Sequence, residues 1–225
     1  MDVQGAIGSP ETAIGSGNIA NLTGNLKIGY PSSGGDFDIA TNSHTLTLDS
    51  GDGNAFAWSG SIAGTGNVEF FMGPSYTGYR DAPMLLTGKK PNTTSGTFFV
   101  RKGRVQLEKP EGVDAIAGNV SVGGQGFNDC LFWNASHQIK DSATINLLDA
   151  GNNGAAYLHL NGCHESVTAL VMTKNNKILT DSGKGIGGVL TVKSLTIDGA
   201  VQPAGEYTAA NAKWIEGKGR VIVKP

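Results

Sequence analysis

The chain has 225 residues, enough to bury a substantial core as a single domain, with 17 basic and 19 acidic side chains and a formal charge of −2. That balance, with no dense basic stripe, argues against a nucleic-acid partner, and no apolar run reaches the length needed to cross a bilayer. Glycine stands out at 34 residues, about twice its usual share, while proline is ordinary, so the excess reads as turns and not as disorder.

In chain order, residues 1–24 carry the weakest β pattern and are expected to form an N-terminal cap or entry strand. From there short alternating runs recur: Asn25–Ile28, His44–Leu48, Asn67–Phe70, Thr97–Val100, Arg104–Leu107, Asn119–Val122, Ala143–Leu147, Tyr157–Leu160 and Val189–Val192. Period-2 alternation broken by Gly, Asn and Asp predicts strands. Their number and brevity predict stacking of similar units, an all-β β-solenoid with coils of roughly 20 to 28 residues, each adding about 4.8 Å. One domain over 1–225 is expected, with 188–225 as closing coils that cover the terminal edge.

Two strands can be registered from pattern alone. Setting Leu131 over Leu158 puts Trp133 over Leu160, so these four point inward, and Phe132, Tyr157 and His159 form an outward strip. A slip of one residue exchanges the faces. Trp58 and Trp214 lie in strand-like segments and are expected in the core or at an end.

The last third runs Gly188–Gly199, then Pro203–Thr208, then Trp214–Val223. This stretch resembles the C-terminal coils of autotransporter-type β-strand repeat proteins, as do the Gly-punctuated segments Gly60–Val68 and Ser95–Leu107. The resemblance implies a right-handed parallel β-helix. Similar segments accompany glycoside hydrolases in secreted bacterial systems, and a xylanase-associated family of carbohydrate-binding modules is similar to this fold. It therefore implies a secreted module, linked to a glycoside hydrolase domain, that binds plant cell-wall polysaccharide, with xylan first. The start of the chain has no basic region followed by an apolar one, which is read as excision from a longer secreted chain.

Two segments depart from the repeat, and insertions on a scaffold are where sites are expected. Tyr76, Tyr79, Arg80 and Asp81 lie in a Gly/Pro-rich insertion. Phe132, Trp133, Asn134 and His137, with Tyr157 and His159, form a second aromatic and polar concentration. A sugar ring offers an apolar C–H face and a rim of hydroxyls, which an aromatic plane and short polar groups complement. The alternative is that these aromatics only plug coils, and the register above turns Trp133 inward.

Catalysis is not indicated. His44, His137, His159 and His164 fall in no nucleophile motif, and scattered carboxylates such as Asp129, Asp141, Asp149 and Glu165 cannot be paired from sequence. Asp49, Asp52 and Asn54 offer calcium-like oxygen ligands, but the group lacks a closing bidentate Glu and matches an Asx/Gly turn equally. No other cofactor is expected. Cys130 and Cys163 fit no metal spacing and leave a disulfide open. A structural spacer, and a β-helix lyase or hydrolase, are the competing readings.

Overall fold

The computed structural model describes residues 2–7, 19–29, 36–49, 55–71, 83–124, 128–149 and 154–225. Among them there is no helix; strands stack in two long, almost wholly parallel sheets, one of fourteen strands and one of seven. This arrangement is compatible with a β-solenoid. Every run expected as a strand is one, and within 1–24, where a cap or entry strand is expected, Asp2–Ile7 is a strand pairing in parallel with Ile19–Gly29.

The long sheet stacks one inward column, Leu26, Leu46, Val68, Phe98, Val120, Ile145, Leu170 and Leu195, whose members are 20 to 30 residues apart. All eight are at most 1 % exposed. The short sheet answers with Met84, Val105, Leu131, Leu158, Ile178 and Ile215. Side chains alternate across each strand, so a period-2 sequence sends one set into the space between the sheets and the other to the outside. The core is the apolar filling of that space, continuous from Leu22 to Val223.

Two devices hold one rung on the next. Outside each long-sheet strand, Asn and Thr alternate up the stack: Asn25, Thr45, Asn67, Thr97, Asn119, Thr144. The Asn amide oxygens accept the backbone N–H of the Thr one rung on, Asn25 from Thr45 at 2.9 Å, Asn67 from Thr97 at 3.0 Å and Asn119 from Thr144 at 2.9 Å. These N–H groups open their strands and need an acceptor. At the corner just before, Gly66, Gly96 and Gly118 stack. A Cβ on Gly96 would stand 2.0 Å from the carbonyl oxygen of Gly66, and one on Gly118 1.9 Å from that of Gly96.

Near the C-terminal end the strands turn antiparallel. Asp198 and Gly199, at φ 49° and 79°, reverse the chain into antiparallel Ala200–Val201. Gly205–Thr208 then pairs antiparallel with Arg220–Val223 and becomes the edge of the long sheet. Tyr207 packs on Trp214 at 5.7 Å between ring centroids. Trp58 is fully buried against Phe37, 4.9 Å away.

Candidate functional site

The expected register between Asp129–Trp133 and Ala156–His159 holds: Cys130 lies beside Tyr157, Leu131 beside Leu158 and Phe132 beside His159. Leu131, Trp133, Leu158 and Leu160 are all buried in the core. On the outer face of the short sheet two columns result. One runs Arg104, Cys130, Tyr157, Lys177; the other runs Leu85, Gln106, Phe132, His159, Leu179.

Phe132 and His159 meet edge to face at 4.5 Å, and the Arg104 guanidinium sits 4.1 Å above the Phe132 ring. The same guanidinium donates to Gln106 Oε1. This cover leaves Phe132 only 8 % exposed, so the expected stacking platform is not this ring. Tyr157 and His159 remain half-exposed, and His159 Nε2 lies 3.1 Å from the Asp181 carbonyl.

Beyond the strand ends the face continues as a polar ladder. Asn161 donates to Asn134 Oδ1 at 3.3 Å, and Asn134 and Gln106 both donate to the Glu108 carboxylate. The ladder runs into a groove of about 560 Å³ built from successive corner turns, with Ser136 and Cys163 on its wall and Lys184 and Ile186 at its far end. Glu111 from an earlier turn lines the same groove. The turns are tight for local reasons: Asn161, Gly162 and Gly185 adopt φ 50°, 78° and 71°, a region that Asn and Gly tolerate best.

Trp133 is not part of this surface. It is fully buried, and its Nε1 donates inward to Glu165 Oε2 at 3.0 Å. His137 is exposed, at φ 56°, on the turn after Ser136, where its N–H donates to the His164 carbonyl at 3.0 Å. Thus Phe132, Asn134, Tyr157 and His159 come together, His137 stands at the next corner and Trp133 faces away. Tyr76, Tyr79, Arg80 and Asp81 lie outside the described residues, as do Asp52 and Asn54. Asp49 is engaged by Lys27 Nζ at 2.7 Å.

The sequence reading passed over Gln106, Glu108, Ser136, Asn161 and Lys184. A signal existed for some of them: an Asn follows the apolar run of two neighbouring short-sheet strands, Asn134 after Trp133 and Asn161 after Leu160, the position where the corner begins.

Burial pushes the Cys130 thiol up to about 12. Burial first, then the Glu111 and Glu165 carboxylates, raise the Cys163 thiol, so neither sulfur is an activated nucleophile. Both cysteines are free. Among the described residues no three His, Cys, Asp or Glu side chains converge to hold a metal ion. The chain matches no protein-family model, no curated protein and no solved structure.

Proposed function

We propose that this protein is a non-catalytic carbohydrate-binding module, a single right-handed parallel β-helix that binds plant cell-wall polysaccharide, xylan first, at the outer face and corner groove of the short sheet. The observation that carries the reading is the continuity of Tyr157 and His159 with the amide ladder Asn134–Asn161 and the groove beyond, which Ser136, Ser182, Glu111 and Lys184 help to line. An aromatic plane beside short hydrogen-bonding groups, repeated at about 4.8 Å on a rigid stack, suits a polymer of ring and hydroxyl. Because the side chains are held by the sheet, little of their freedom is lost on binding. In this reading the module is secreted and serves a covalently linked glycoside hydrolase, as the repeat resemblance implies.

Native affinity electrophoresis through gels containing xylan, mixed-linkage glucan, mannan or pectin, with released sugar assayed in parallel, tests it. Retardation by xylan without product is expected, weakened about tenfold in Tyr157→Ala and Asn134→Ala. Released sugar would make the protein a lyase or hydrolase. Absence of both effects would leave a structural spacer.

A further inference from the structure

The groove beyond the short sheet is built from the corners that follow four consecutive strands of that sheet. Glu111 stands at the first corner, Asn134 and Ser136 at the second, Asn161 and Cys163 at the third, and the loop 182–186 at the fourth. Backbone bonds tie each corner to the next: the Gly112 N–H donates to the Ser136 carbonyl at 3.2 Å, that of His137 to His164 at 3.0 Å and that of Gly162 to Thr180 at 3.0 Å. Three steps of about 4.8 Å separate the ends, roughly 14 Å in all. A short run of linked sugar rings fits along that length.

The two ends carry opposite charge and the middle is neutral. At the far end Lys184 is exposed, and the Lys218 ammonium lies against the same loop, 3.5 Å from where a Cβ on Gly185 would stand. Among the described residues neither ammonium is in an ion pair. Asp181, at the base of the loop, accepts from the Lys218 backbone N–H and pairs with neither ammonium. The loop is braced: Asp181 bridges to Gly187, and Ser182 Oγ accepts from the N–H groups of Lys184 and Ile186 at 3.2 and 3.3 Å. That leaves the Ser182 hydroxyl proton to donate outward. Asn161 directs its amide N–H to Asn134 and keeps its own amide oxygen as an acceptor. Glu111, at the near end, is exposed.

Charge sorted in this way acts against the wrong ligand as well as for the right one. The ends are further apart than the Debye length of about 8 Å at physiological salt, so each acts on its own neighbourhood. An uncharged chain gains nothing from Lys184 and Lys218. A polyuronate, with a carboxylate on every ring, meets both ammonium groups but also sets a carboxylate beside Glu111. A neutral backbone with occasional acidic side groups places one carboxylate at the loop and uncharged rings past Asn161, Asn134 and Glu111.

We infer that this groove takes a neutral polysaccharide chain bearing sparse carboxylate side groups, a xylan decorated with uronic acid, and that Lys184 and Lys218 bind the carboxylate while Glu111 rejects a fully acidic chain. The inference rests on the carbohydrate-binding reading above and narrows it. The whole chain is titrated calorimetrically with xylan bearing glucuronic acid, with the same xylan after its carboxyl groups are reduced to alcohols, and with polygalacturonate.

The acidic xylan is expected to bind about fivefold more tightly than its reduced form, with the difference shrinking at high salt, as befits solvent-exposed charges. Polygalacturonate is expected to bind more weakly than the acidic xylan. In Lys184→Gln/Lys218→Gln, folding being checked by melting temperature, the ratio between acidic and reduced xylan falls to about one; single Lys184→Gln falls part of the way. Glu111→Gln strengthens the binding of polygalacturonate severalfold. Equal binding of acidic and reduced xylan by wild type, or a preference that survives in the folded double variant, overturns the inference and leaves the carbohydrate-binding reading in place. Polygalacturonate bound as tightly as acidic xylan overturns it too, by showing attraction of any polyanion. Failure of all three polymers to bind removes this selectivity together with the reading it rests on.

Discussion

Trp133 Nε1 and Glu165 Oε2 are joined at 3.0 Å across the interior, tying a short-sheet strand to the side of the stack where the next rung returns. Glu165 is 1 % exposed, yet no cation faces it in a described ion pair. It is held by hydrogen bonds alone: Oε2 also accepts from the N–H groups of Gln138 and Ile139 at 2.8 and 3.0 Å, and Oε1 from that of Ser166 at 3.0 Å.

Removing that carboxylate strands three buried donors, the Trp133 indole and the N–H groups of Gln138 and Ile139, and a half-buried fourth at Ser166. Each buried donor left unsatisfied costs about 1–3 kcal/mol, so Glu165→Ala is expected to lose more than about 3 kcal/mol in urea unfolding. Glu165→Gln keeps one acceptor oxygen and loses less. Equal stability of the two variants would show that the hydrogen bonds do not hold this corner.

The glycine stack tests steric closeness between rungs. Gly96→Ala drives a methyl group into the Gly66 carbonyl, 2.0 Å away, and is expected to cost about 3 kcal/mol. Gly183 lies on a turn with nothing within 4 Å of its Cβ position, so Gly183→Ala stays within about 0.5 kcal/mol of wild type. Chemical denaturation of both separates the effect of position from that of losing glycine.

Asn119→Ala removes one inter-rung acceptor at an exposed site and leaves the Thr144 N–H to water. A loss of about 1 kcal/mol is expected, adding to that of Asn67→Ala because the two bonds share no partner. Thermal melts of the single and double variants check both size and additivity.

Asp129 gives the fold a pH dependence. Its carboxyl is wholly buried; Oδ1 accepts from the Gly103 N–H at 2.8 Å, while Oδ2 has no hydrogen-bond partner among the described residues. Burial outweighs that bond and the Lys102 charge and pushes it up to about 7. With the folded value above the unfolded one, the folded state holds the proton more tightly. The contribution to stability is complete below the unfolded carboxylate range, about 3.9, and is lost as pH rises towards 7. Asp129→Asn is expected to flatten the decline between about pH 4 and 7 in denaturant midpoints. An unchanged slope would assign it to other groups.

Lys109 acts in the alkaline range. Its ammonium is 1 % exposed and donates to the carbonyls of Thr87 and Lys90, both at 2.7 Å. Burial lowers it to about 8, against a smaller opposing effect of Asp38. The unfolded chain then binds the proton more tightly, so stability rises between pH 8 and the ordinary lysine value of about 10.4. Lys109→Met is expected to remove that rise.

Much of the rung architecture was legible along the chain, because inward and outward positions alternate with period 2 whatever the fold around them. The Leu131/Leu158 register followed from matching two such patterns, and it sent Trp133 inward correctly. The Asn/Thr alternation before the inward residues of the long sheet was equally visible, though only the bond from Asn to the next rung gives it meaning. The candidate site was legible in part: Tyr157, His159 and Asn134 share a face by register, while Asn161, Ser136 and Lys184 join them only where corner turns stack.

What the sequence by itself determined is a chain of short, glycine-bounded, one-sided strands that must stack to bury their apolar faces. What the tertiary structure decided is everything that depends on residues from different rungs meeting. Arg104 covers Phe132, an inward Glu165 is satisfied by backbone donors and the Trp133 indole, and ion pairs such as Glu69–Arg101 join one rung to the next. Alternation is a property of neighbours in the chain, whereas burial, cover and charge pairing are set between residues some 20 to 30 positions apart, which no local pattern encodes.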